Sequence, residues 1–356
     1  AAQYANAEAL RYLTRALELT PESEPEARYS LLLIRERVFN LQGERAGQAK
    51  DLAELRGLAR SMDDDGFQAA RRRSEIALRR ASYADAVSDF PAAIRAAQDA
   101  IRLAEAGQDK GREAAGYLRW GRVLCSQAAY SGAQARLEKA LGLARAAQDR
   151  QVEGDSQRNL GLVWWLQGEH DQAEACFGQA LAIYRELGDR RLEGGTFNNL
   201  GLISSERGCH SEALAFYEQA LRIFRQVGDR RGEGIVLGNL AGTALSVGVL
   251  SRANEIHGQA LGLCREIDDR TSECRILANL GLQHHRQGED SQALDFGRQA
   301  LRIAEELGSR RWQAYALTNL AHSQVALGLL DEGRKGYEQS LEIRREMGEA
   351  HMMLES

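Results

Sequence analysis

Asparagines are the first residues here whose type and spacing suggest chemistry. Asn159, Asn199, Asn239, Asn279 and Asn319 recur at intervals of forty residues, each followed by a leucine. A side-chain carboxamide offers two donors and an acceptor, the complement of an extended peptide backbone. Asparagine is also a mediocre helix former, so its return at one helical position needs a reason. Two reasons stay open: a ladder that holds a bound peptide, or a clasp that ties each repeat to its neighbour.

Other chemistries find little support. The chain has no G-x-x-x-x-G-K-[ST] phosphate loop, and Gly232, Gly234, Gly238 and Gly242 lie inside a helix that other repeats match. H-E-x-x-H is absent. His284 and His285 are adjacent and would project about 100° apart on a helix, a poor pair for one metal ion. Asp and Glu follow the repeat, so capping and solvation explain them better than acid–base pairing. The reading is a chain that is no enzyme, with no catalytic residues, metal or cofactor.

Composition narrows the partners. Net charge is −5 over 356 residues, which argues against nucleic acid. No apolar run reaches the ~18 residues of a membrane span, so no membrane partner is expected. Cys125, Cys176, Cys209, Cys264 and Cys274 never form C-x-x-C, and reduced, packed thiols in a cytoplasmic protein are the expected state. A start at AAQYANAEAL shows no signal peptide and reads as a fragment.

The elements that position the asparagines follow from the same period. Alanines at 140, 180, 220, 260 and 300 form a second comb, each again followed by leucine. Residues 189–227 serve as the type unit. Asp189 reads as an N-cap, with Glu193 in the first turn at the positive end of the helix dipole. Apolar and small residues at helical spacing run to a break at Gly208. A second helix is expected from about Ser211 to Val227, closed by Gly228. Cap-like residues recur at Asp109, Asp149, Asp189, Asp229, Asp269 and Ser309. Closing glycines recur at Gly188, Gly228, Gly308 and Gly348, with Gln148 and Asp268 as exceptions. Each unit is a helix hairpin that buries its apolar face by stacking on neighbours.

Small residues at Gly121, Gly161, Gly201, Ala241, Gly281 and Ala321 in the first helix, and at Ala133, Ala173, Ala213, Ala253 and Ala293 in the second, let the helix axes approach closely. Together with the aromatics Phe177, Tyr217 and Tyr337, this set resembles the tetratricopeptide repeat (TPR). The usual unit is about 34 residues, so six more would lengthen each hairpin by roughly 9 Å of helix. The string G-D-R-x-x-E-G-x-x-x-x-N-L-G at 188–201 resembles the long repeats of Pins/LGN polarity adaptors. It is equally similar to bacterial arrays attached to STAND-type ATPase or CHAT protease modules.

The expected fold is therefore all-α, a right-handed α-solenoid of about eight hairpins plus one orphan N-terminal helix. Residues 1–108 read as divergent hairpins, with an orphan helix at 5–19, a degenerate unit at 26–62 and a longer first helix or turn within 66–107. Residues 109–348 read as the regular array, and 349–356 as the start of a further helix, so that the natural protein continues in both directions.

The resemblance implies that first helices line a concave groove and that the residue two before the small glycine, the comb asparagine, faces it. By register, Arg122, Arg158, Asn198, Trp165, Arg275, His285, Arg286, Tyr315 and His322 join it. Arg158, Arg275 and Arg286 would receive an acidic peptide, and Trp165 an apolar anchor. The plainer reading of Trp164 and Trp165 puts one in the core and leaves the other half exposed. Arg71–Arg73 and Arg79–Arg80 read as a solvated helix face rather than a phosphate site. The implied function is a non-enzymatic peptide- or protein-binding array, the sensor segment of a larger bacterial signalling protein. Docking along the groove would shift the superhelix pitch or release an attached effector. The alternative is a scaffold that assembles partners or itself by stacking repeat ends.

Overall fold

Helices of nearly constant length alternate with short connections, two or three residues long from α4 onward. The computed structural model describes residues 2–62 and 66–347, with side chains from residue 6. Among these, the order begins with α1 (Ala2–Leu19), α2 (Pro25–Gln42), α3 (Arg45–Ser61), α4 (Gly66–Ala86) and α5 (Phe90–Ala106). It continues with α6 (Lys110–Ser126), α7 (Tyr130–Ala147), α8 (Arg150–Leu166) and α9 (His170–Leu187). Then come α10 (Arg190–Glu206), α11 (His210–Val227), α12 (Arg230–Ser246) and α13 (Leu250–Glu266). The last four are α14 (Arg270–Arg286), α15 (Asp290–Glu306), α16 (Arg310–Ala326) and α17 (Leu330–Glu346). This is one orphan helix followed by eight hairpins. The longer first helix expected upstream is α4, at 21 residues against 17 for α6. The expected helix start at 349–356 and the closing Gly348 lie outside the described residues.

The turns explain the period. Every twentieth residue from Ser88 to Gly328 takes a left-handed backbone, with φ between 46° and 81°. At Gly228 the amide of Asp229 reaches back to the Phe224 carbonyl at 2.9 Å, the six-to-one bond that closes a helix end. Gln148 and Asp268, the exceptions to the glycine pattern, adopt the same conformation as the glycines. At the next helix start Asp109, Asp149, Asp189, Asp229 and Asp269 each accept an N–H bond from the third residue on. Ser309 does not: its side chain makes no cap bond, a correction to the sequence reading.

The chain divides into two compact units, residues 1–187 and 188–356. Within each, a second helix packs between its own first helix and the next one. First helices also touch first helices: α4 with α6 and α6 with α8 in one unit, and α10, α12, α14 and α16 in succession in the other. Glycine makes the hairpin seam possible. A Cβ on Gly201 would lie 2.6 Å from the Tyr217 ring, and one on Gly161 would lie 2.8 Å from Phe177.

Glu193 and its equivalents do more than oppose a helix dipole. Glu233 is buried and takes Arg225 at 2.8 Å and Arg230 at 2.9 Å, while Arg230 reaches on to Glu266 at 2.7 Å. Glu273 repeats this with Arg265 and Arg270, the latter reaching Glu306. Glu153 does so with Arg145 and Arg150 in the first unit. Each corner ties the end of one second helix to the following hairpin. Burial pushes the Cys264 and Cys274 thiols up to about 11, so both stay protonated at neutral pH.

Candidate functional site

The comb asparagines lie on successive first helices and differ in what they bond. Asn159 is buried and donates to the Asp155 carbonyl of its own helix at 2.7 Å. Asn199 is half-buried and makes no side-chain hydrogen bond among the described residues. Asn239 donates to the side-chain oxygen of Asn198 at 2.8 Å, bridging α10 and α12. Asn279 accepts from the Tyr315 hydroxyl at 3.4 Å, and buried Asn319 donates to the Ala278 carbonyl at 3.0 Å, both between α14 and α16. Three of the five carboxamides thus connect neighbouring first helices. Asn198 and Tyr315, named by register, are partners in two of those bonds.

Around Asn279 the structure builds a pocket. A cavity of about 210 Å³ is lined by Arg275 and Asn279 of α14, Arg311, Trp312 and Tyr315 of α16, and Arg344 of α17. Arg344 is only 4% exposed, and its Nε donates to the Ser340 hydroxyl at 3.3 Å. That hydroxyl is itself placed by the Ala314 carbonyl at 2.9 Å and by Thr318 at 2.8 Å. Trp312 and Tyr315 meet edge to face, 5.7 Å apart. One guanidinium nitrogen of Arg275 is buried without a hydrogen-bond partner, and burial holds the group below its ordinary pKa. A missing side chain gives it room, since a Cβ on Gly238 would stand 3.1 Å from the guanidinium. Three guanidiniums beside two aromatic rings and an amide suit an oxyanion carried next to a flat or apolar group.

Sequence reasoning named Arg275, Asn279 and Tyr315 here but missed Arg311, Trp312 and Arg344. The signal for Arg344 was present. Its comb slot holds Ala144, Tyr184, Phe224, Cys264 and Ala304 in earlier repeats. A charge returning at a core position is the departure to look for. Trp312 likewise stands where Val152, Leu192, Gly232 and Ser272 precede it.

The remaining candidates lie elsewhere. His285 stacks on His322 at 5.6 Å and bonds Asp290 at 2.6 Å, and burial, with His285 adding, lowers the pKa of His322. Arg286 is exposed at the far end of α14, beside Leu250, Asn254 and Gln283, so it does not join Arg275. In the other unit Arg122 lies 3.9 Å from Asp85. The Arg158 Nε is buried without a hydrogen-bond partner. Trp164 packs against the cluster of Leu118, Leu137 and Leu160. Trp165 is half-buried. No helix among the described residues is long and apolar enough to cross a membrane.

Comparison with known proteins gives the fold a relative. Residues 112–186 and 192–266 match the tetratricopeptide repeat family. Among solved structures, the apo form of the quorum sensor NprR from B. thuringiensis is similar at a TM-score of 0.68 and 11% identity, over 96% of this chain and 99% of that one. A Rap protein complexed with competence and sporulation factor gives 0.64 and 14%, over 97% and 99%. A signal transduction ATPase with numerous domains (STAND), with a tetratricopeptide repeat sensor, from Pyrococcus horikoshii gives 0.63 and 15%. The present chain there covers 97% of its own length but 54% of the other. Curated proteins gave no match.

Proposed function

Since this chain is an array of tetratricopeptide repeats, we propose that it acts by binding, as a non-enzymatic recognition module for an acidic peptide or protein segment. The observation that carries this reading is the pocket of Arg275, Arg311 and Arg344 beside Trp312 and Tyr315, set on the row of first helices that also bears the comb asparagines. A carboxylate of the ligand enters among the guanidiniums, and a neighbouring apolar side chain rests on the rings. Asn199, the carboxamide without an internal bond, is left to meet the ligand backbone. Arg122, Arg158, Trp165, His285, Arg286 and His322 supply further contacts along their own units.

The similar solved proteins support a sensor role, since they include a quorum sensor, a complex with a signalling factor and a STAND protein with a repeat sensor. On this reading the chain is the cytoplasmic ligand-recognition segment of a larger signalling protein, with no nucleic acid, membrane or metal partner.

Panning a displayed random-peptide library tests the proposal. Enriched sequences should pair an acidic residue with an aromatic or aliphatic one. Arg275→Gln with Arg311→Gln should weaken the best of them by about tenfold or more, one charge-assisted contact being worth some 1.5–3 kcal/mol. Enrichment of basic peptides, or binding indifferent to these changes, removes the reading. Changing Asn199, Asn239 and Asn279 together to Ala should abolish binding with the melting temperature held within a few degrees.

A further inference from the structure

The N-terminal unit holds a second concentration of positive charge, unrelated to the pocket above. The run Arg71–Arg73 and Arg79–Arg80 is not the solvated face its sequence suggests. Arg71 lies 3.3 Å from Asp109, Arg72 2.5 Å from Glu26 and Arg79 2.5 Å from Glu36. Arg73 and Arg80 turn elsewhere. With Arg56, Arg60 and Arg102 they rim a cavity of about 390 Å³ between α3, α4 and α5. Its floor is apolar, made by Ala59, Ile76, Ala77 and Leu103. One carboxylate, Asp99, reaches it and is already paired with Arg102. Arg73 bonds only a backbone carbonyl, that of Ala59 at 3.5 Å. Arg56, Arg60 and Arg80 have no ion pair among the described residues. Asp63, Asp64 and Asp65 lie outside those residues.

Composition does not account for this. The whole chain carries −5, and Arg71, Arg72 and Arg79 of the same helix each find an acid. Five guanidiniums facing one engaged carboxylate repel one another, the more so above an apolar floor. Burial lowers the pKa of Arg80, and the charges of Arg56 and Arg60 lower it further against the opposing pull of Asp99. A second cavity of about 260 Å³ adjoins the first and shares Arg56 and Arg80. Its wall is mostly apolar, with Leu52, Tyr83 and Val87, and the helix-capping Asp89 at its edge.

We propose that the arginine cavity binds a small phosphate-bearing ligand, with phosphate oxygens held by Arg56, Arg60, Arg73 and Arg80 and an apolar or aromatic body resting in the adjoining space. Planar guanidinium forks match phosphate oxygens two at a time. Arginines gathered round one cavity of this size, rather than strung along a track, fit a small molecule and not a polynucleotide.

Titration calorimetry at about 0.15 M salt tests this with inorganic tripolyphosphate, ATP and citrate. Tripolyphosphate and ATP should bind one to one, ATP the tighter by its body, and citrate at least about tenfold more weakly. The double change Arg56→Gln, Arg80→Gln should reduce ATP affinity about tenfold or more, while Arg298→Gln, at an exposed position of the other unit, leaves it unchanged. Without ligand, Arg80→Gln alone should raise the melting temperature, because it removes repulsion. That readout keeps the test meaningful if the double variant folds poorly. No saturable binding, citrate equal to tripolyphosphate, or ATP affinity untouched by the double change overturns the assignment. So does an affinity for oligonucleotides that climbs with their length. None of these results bears on peptide binding at Arg275, so the two proposals fail separately.

Discussion

The two units reach similar hairpins by different means. In residues 188–356 the parts repeat: the left-handed turn positions are glycine except for Asp268, and carboxamides bridge successive first helices. In residues 1–187 the solutions are individual. Ser88, Gln108, Ala128 and Gln148 occupy four successive left-handed positions that suit glycine better. Helices α2, α3 and α4 are joined by bonds with no counterpart elsewhere, such as Arg35 on Asp51 at 2.6 Å and Arg79 with Gln48 on Glu36. Two adjoining cavities that share Arg56 and Arg80 lie in this unit, whereas the other unit has its own arginine-lined pocket at Arg275. A period secures stacking everywhere at once, whereas one-off pairs leave gaps that can be put to use.

The largest expected effect separates the units by pH. His257 sits in the slot that Phe177 and Tyr217 fill in other repeats, is almost wholly buried and has its pKa lowered to about 4 by that burial. Between pH 6.5 and 4 the unfolded chain takes a proton there that the folded one refuses. Stability of the second unit therefore drops as pH falls across that window, by about 3 kcal/mol in all. His257→Phe should flatten the slope, read by urea denaturation at several pH values. An unchanged slope would mean His257 is not the group responsible.

Packing gives the next contrast. Gly201→Val forces atoms into the Tyr217 ring and should cost about 2 kcal/mol. Gly57, with open space where a Cβ would stand, should gain up to about 1 kcal/mol as Ala. Chemical denaturation checks both, and equal effects would erase the contrast between regular and divergent hairpins. Smaller again, Asn239→Ala and Asn319→Ala should each lose about 1 kcal/mol. Asn199→Ala should stay within about 0.5 kcal/mol, which separates clasp from ladder residue by residue. The smallest pair concerns the turns: Ala128→Gly should gain, and Gly228→Ala should lose, about 1 kcal/mol or less, measurable as opposite shifts in thermal midpoint.

Much of this architecture was legible because backbone demands recur at fixed intervals. Asp229 and its equivalents were readable as caps, since a carboxylate before a helical run has one obvious use. Ser309 looked equivalent but its side chain makes no cap bond, because its hydroxyl must be turned correctly and sequence does not record rotamers. Glu193 was read as a dipole partner; at its equivalent Glu233, Arg230 is a neighbour within the same helix, but Arg225, eight residues before, joins it only when the preceding helix packs alongside. The pocket was half visible. Arg275, Asn279 and Tyr315 followed from register, whereas Arg344 sits on a second helix, where it bonds Ser340, a serine in place of the comb alanine. The basic run misled, since whether an arginine meets an acid or a cavity is decided by helices distant in sequence.

The left-handed residue at every twentieth position has an evolutionary corollary. A joint inside a hairpin is made like a joint between hairpins, so duplication or loss of forty residues needs no retuning of either. A change of twenty would close its turns equally well, yet it would exchange the two helix roles and set every later carboxamide on the wrong row. Such arrays are thus free to lengthen or shorten, but only in even steps.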